Sequence, residues 1–150
     1  MNWLSLTTEH VKATGNAAIV NAALAKAAEA GNTIDPIAEA IENAVGRIRG
    51  AVSVGNLLDR DPTKIPKSLK GLALRMVIYA LREFIEFALT DDQRDTKRED
   101  NSYLIRISDD KIRFEEPDEP AGSAEMQPGG LFQIVDSRPR QLTRDTMRGL

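Results

Sequence analysis

Between Lys67 and Leu89 the chain reads KSLKGLALRMVIYALREFIEFAL, and at helical spacing nearly every side of that segment is apolar. One row joins Leu69, Leu72, Ala73, Met76, Ala80, Phe84 and Phe87. A second joins Leu74, Val77, Ile78, Leu81, Ile85, Ala88 and Leu89, which leaves a narrow polar line of Lys67, Gly71, Arg75, Arg82 and Glu86. Such a helix needs other elements on most of its sides. Arg75, Arg82, Glu83 and Glu86 interrupt the apolar surface, so the segment does not read as a membrane span.

The remaining chain offers short helices as neighbours. Thr7 can cap a helix running to about Thr14, with Gly15 closing it. Asn16 to Ala30 is alanine-rich, with Ile19, Val20, Ala23, Leu24 and Ala27 on one face and Gly31 as its stop. Asp35-Pro36 opens a third helix, because an aspartate can accept first-turn amides and proline is tolerated at the first helical position. That helix carries Ile37, Ala40, Ile41, Ala44, Val45 and Ile48 to about Val54-Gly55. Gly46 and Gly50 within it suggest either a close-approach face or weak points. A loop from Asn56 to Pro66 follows, punctuated by Asp61-Pro62 and Ile65-Pro66.

Past the apolar segment, Thr90 and Gln93 form a capping-box pattern. The helix it opens is charged in its first half, with Asp91, Asp92, Asp95, Glu99 and Asp100. Its second half has Tyr103, Leu104 and Ile107 available to dock on a core. Lys111–Glu115 alternates polar and apolar residues, which predicts a short strand. Residues 117–130 are a Pro/Gly linker, and Leu131, Phe132, Ile134 and Val135 belong to a second strand candidate. The expected architecture is mainly α. It is a small helical bundle around a central long helix at about 67–89, with a short β-hairpin or strand pair and an extended C-terminal arm. The expected divisions are a helical domain at 1–110, strands and linker at 111–135, and the arm at 136–150.

Composition narrows the function. Aromatic residues are only 5% and there is no cysteine, which removes disulfides and thiolate metal sites. The N-terminus lacks a basic start followed by a long apolar run, so the expectation is a soluble protein made in a cytoplasm. The net charge of −3 argues against a general nucleic-acid binder. Residues 91–120 carry 11 acids against 6 bases, whereas residues 121–150 carry 4 bases against 3 acids. His10 is the single histidine, expected on an exposed helix surface, and no nucleophile or phosphate loop stands in a recognisable setting. The expectation is a non-enzymatic protein without catalytic residues, metal or cofactor. The acidic cluster lacks the glycine turn and spaced ligands of a calcium loop, and reads as a solvated face.

The tail interleaves Arg138, Arg140, Arg144 and Arg148 with Leu142, Met147 and Leu150. Three readings stand for it. The arginines can meet phosphates, although Asp136 and Asp145 oppose this. The tail can dock on a protein partner through Arg–carboxylate pairs and apolar anchors, or it can be a disordered end.

Four stretches, in order, resemble small phage head–tail connector proteins of the Mu-like phage and prophage type. These are Ile37–Ile48; Ile65-Pro66 leading to Leu69, Leu72, Ala73 and Tyr79-Ala80-Leu81; the charged helix ending in Leu104 and Ile107 with Ile112 and Phe114 beyond; and Ser137–Met147, with Arg144-Asp145 inside it. The resemblance implies a structural virion protein at the head–tail interface, assembled in the host cytoplasm. As an adaptor it would sit as a ring of about twelve copies beneath the portal protein, extend the DNA channel, and offer a surface to the next neck or tail-completion protein. Genomic DNA would be passing cargo only, and no membrane would be involved. In that picture Leu131, Phe132, Ile134, Arg138, Arg140, Leu142, Arg144, Asp145 and Met147 contact partners. Asp91, Asp92, Asp95, Glu99 and Asp100 are candidates to line the channel, where like charge would keep DNA from sticking. The alternative is a small DNA-contacting packaging or regulatory helical module.

Overall fold

The computed structural model describes residues 1–31 and 33–122. Among them the order is β1 (Trp3–Ser5), α1 (Thr8–Lys12), α2 (Ala17–Glu29), α3 (Pro36–Val52), β2 (Lys64–Pro66), a 3-10 turn at Lys67–Leu69, α4 (Lys70–Phe84) and α5 (Asp91–Asp109). The fold is mainly α, as the periodicity predicts.

The helix starts follow the expected chemistry. The Thr7 hydroxyl accepts from the His10 amide, the Asp35 carboxylate accepts from the Ile37 amide at 2.9 Å, and Thr90 and Gln93 close a reciprocal capping box. His10 is part of a cap rather than a free surface residue, because its ring nitrogen accepts from the Thr7 amide at 3.2 Å. Gly15 and Gly31 take the left-handed conformation that ends α1 and α2, with φ of 78° and 64°.

The core lies along α3, which packs on α4, α5 and α2. Ile37, Ala44, Ile48 and Val52 of α3 are buried with Leu72, Ala73, Val77 and Leu81 of α4. Val20 and Ala23 of α2, and Leu104 and Ile107 of α5, complete it, so the second half of α5 docks as its pattern predicts. Tyr103 does not join them and stays exposed. Gly46 and Gly50 have open space where a side chain would start, so neither marks a close approach among the described residues.

The central helix is shorter than the predicted span at 67–89. It is preceded by the 3-10 turn and stops at Phe84. Glu86 adopts φ 58°, its amide donating to the Glu83 carbonyl at 3.0 Å and the Phe87 amide to the Arg82 carbonyl at 2.9 Å. Those two bonds satisfy the last helical carbonyls and turn the chain outward, leaving Phe87 58% exposed beneath the Arg82 guanidinium.

The sheet also differs from expectation. The strand pair is β1 with β2, antiparallel, with Trp3 opposite Pro66, Leu4 opposite Ile65 and Ser5 opposite Lys64. Lys111–Glu115 makes no strand. Its backbone is held by a side chain instead: Asn56 donates to the Ile112 carbonyl and accepts from the Phe114 amide, both at 2.7 Å. One amide group thus replaces a ladder partner, while Ile112 and Phe114 pack on the core. Leu131–Val135 lies outside the described residues.

Candidate functional site

The charged helix α5 has two faces. Its inner face docks through Leu104, Ile107 and one acid, Asp100, which is only 7% exposed. Arg75 of α4 reaches it with two hydrogen bonds, Nε to Oδ2 at 2.9 Å and Nη2 to Oδ1 at 2.6 Å. Asp100 holds the Arg75 guanidinium above its ordinary pKa. Asp100 is therefore corrected from a channel-lining candidate to an internal tie: the arginine in the polar line of α4 draws it inward. Asp91, Asp92, Asp95 and Glu99 remain on the exposed face. Asp91 and Asp95 pair with Arg94 and Arg98 one turn on, at 3.4 and 3.3 Å, and Lys97 crosses to Glu83 of α4. These exposed pairs only partly offset the acidity of the face.

A second constellation gathers around Trp3, Arg49 and Asp59, and sequence reasoning missed it. Arg49 of α3 donates to three backbone carbonyls of the following loop: Asp59 at 2.9 Å, Asp61 at 3.0 Å and Lys64 at 2.7 Å. Its guanidinium also lies over the Trp3 ring, 5.9 Å from the centroid. Asp59 is fully buried and accepts from the Asp61 amide at 3.0 Å and the Glu119 amide at 3.4 Å, with Lys64 Nζ at 3.8 Å. Asp61 repeats the turn, accepting from both the amide and the hydroxyl of Thr63, which lowers its carboxyl below the usual range. The signal was present in Asp59-Arg60-Asp61-Pro62, two aspartates placed to bond the amide two residues on.

This loop anchors the end of the described chain. Residues 112–121 run back across the core as a strap. Trp3 Nε1 donates to the Glu115 carbonyl at 2.9 Å, the Arg60 amide to the Glu119 carbonyl at 2.6 Å, and the Ala121 amide to the Leu58 carbonyl at 2.7 Å. The strap is therefore tied to the N-terminal strand at Glu115 and to the loop before β2 at Glu119 and Ala121. The expected partner contacts at Leu131, Phe132, Ile134, Arg138, Arg140, Leu142, Arg144, Asp145 and Met147 all lie outside the described residues.

Hollows flank both sides of α3. On one side, adjoining hollows of about 250, 100 and 600 Å³ run between α3, α4 and α5, from Pro36 past Asn43 and Arg47 to Ile105. On the other, an apolar groove of about 720 Å³ lies between α1, α3 and the loop before β2. A more polar cleft of about 400 Å³ collects Thr14, Asn16, Arg75, Arg82 and Gln93, and there Arg82 Nε is buried without a hydrogen-bond partner among the described residues.

Among the described residues, no three acidic or histidine side chains are grouped to hold a metal ion, and no helix is long and apolar enough to cross a membrane. No protein-family model, curated protein or solved structure matches the chain.

Proposed function

We propose that the protein is a structural adaptor of the phage neck, a ring-forming head–tail connector seated beneath the portal protein. The observation that carries this reading is the two-faced construction of α5. Asp100, Leu104 and Ile107 fasten the helix to the core, while Asp91, Asp92, Asp95 and Glu99 face solvent with Arg94 and Arg98 among them, four acids against two bases. A helix whose exposed face keeps a net negative charge, fixed to a helical body, suits a channel wall, since like charge keeps DNA phosphates from sticking. The same acidity disfavours the alternative of a module that grips DNA, which needs a basic face.

Two further features support the reading. The Ile65-Pro66 step that carries part of the resemblance ends β2 and leads through the 3-10 turn into α4, so it aims the main helix. The arginines and apolar residues of positions 136–150 are, in this reading, the contacts to a portal or a neighbouring copy. In this reading the ring forms on the portal as template, and the arm orders on binding.

The test is deletion of residues 136–150. The helical circular dichroism and the thermal midpoint are expected to stay as in the full chain, while co-sedimentation with the portal is lost. Full portal binding by the shortened chain would overturn the role given to the arm.

A further inference from the structure

The apolar groove on the α1 side of α3 is floored by Leu6, Ile41 and Val45 and edged by Ala38, Gly46 and Pro62. It holds no side chain of the described residues, and nothing lies within 4 Å of where a side chain at Gly46 would begin. The described chain ends on the loop that borders the groove. The strap runs antiparallel to that loop, with Glu119 bonded to Arg60 and Ala121 to Leu58, and Leu58 precedes Pro62 at the groove edge by four residues, at most about 14 Å of chain.

We propose that this groove seats Leu131–Val135 of the same chain, with Phe132 and Ile134 turned toward α3. Three considerations select that occupant. The eight residues from 123 to 130 span up to about 26–29 Å when extended, more than the at most about 14 Å of chain from Leu58 to Pro62 at the groove edge. Leu131-Phe132-Gln133-Ile134-Val135 is the one dense apolar run in residues 123–150, and in an extended chain Phe132 and Ile134 share a face. Charge agrees as well: Arg138 and Arg140 follow the run, and Glu42 lies exposed on α3 at the groove. Seated in this way, Leu131–Val135 fixes the root of the arm and leaves residues 136–150 to project. The inference does not depend on the connector reading, because it concerns one chain alone.

The chain has no cysteine, so introduced pairs report without background. In the full chain, Phe132→Cys is combined either with Ala38→Cys in the groove or with Asp95→Cys on the exposed face of α5. Disulfide formation under mild oxidation is then followed on non-reducing gels. The groove pair is expected to close within single chains at least about tenfold faster than the control, since a short linker raises the local concentration of the seated segment. Adding Gly46→Leu, which fills the groove, is expected to bring that rate down to the control. Equal rates for the two pairs, linkage mainly between chains, or a rate indifferent to Gly46→Leu would overturn the proposal.

Discussion

Arg75 of α4 and Asp100 of α5 meet through two parallel hydrogen bonds, with the carboxylate almost fully buried and the arginine side chain 47% exposed. That asymmetry predicts unequal costs. Arg75→Ala leaves a buried carboxylate with no cation and is expected to cost about 2–3 kcal/mol. Asp100→Ala frees an arginine that can turn to water and is expected to cost about 1 kcal/mol. Urea unfolding of both single variants and the double variant checks this. Equal small losses would mean that α5 is held by Leu104 and Ile107 alone.

Arg49 is expected to be intolerant of Lys. A lysine keeps the charge, but one ammonium cannot serve carbonyls of Asp59, Asp61 and Lys64 from a planar fork. Arg49→Lys should cost about 2–3 kcal/mol. Trp3, the single tryptophan, reports the change directly: it is buried, lies against Arg49 and donates to Glu115. A red-shifted emission at unchanged helical content is the expected signature of a loosened loop and strap. An unshifted spectrum with full stability would contradict the role given to Arg49.

The turn after α4 carries a pH-sensitive pair. Lys26 of α2 bonds Glu86 at 2.9 Å and holds its carboxyl below the ordinary value, through the hydrogen bond first and the charge second. A lowered folded-state pKa stabilises the fold above the unfolded value, about 4.3 for glutamate, and that stabilisation fades as pH falls through the folded value. Glu86→Gln is therefore expected to lower the midpoint slightly near pH 7, and to match the parent once pH has fallen through the lowered folded-state value. The effect should be small, because Glu86 is 84% exposed, and it should shrink in high salt. A difference that persisted unchanged in acid would show that the pair's charge is not its cause.

Much of the helical frame was legible in the sequence because its signals are local. Thr7, Asp35-Pro36 and Thr90 with Gln93 each mark a start through a cap within three residues, and Leu104 and Ile107 fall on the inner face at helical spacing. What stayed hidden depends on partners distant in the chain. Trp3–Ser5 becomes a strand only because Lys64–Pro66 lies beside it. Lys111–Glu115 has a strand's alternation, yet its hydrogen bonds go to Asn56 and Trp3, which no periodicity reveals. Asp100 looked like one more surface acid in a charged run, since nothing local says that Arg75 stands opposite. Glu86 in a left-handed conformation is likewise unmarked, because glycine is the usual residue at such a turn.

The proposed adaptor role requires this chain to assemble as a ring on a portal. The most direct measurement is negative-stain electron microscopy of the full chain mixed with a Mu-like phage portal protein, with each component alone as reference. A portal whose end gains a collar of regular subunits is the expected result. A bare portal beside a chain that stays monomeric would contradict it.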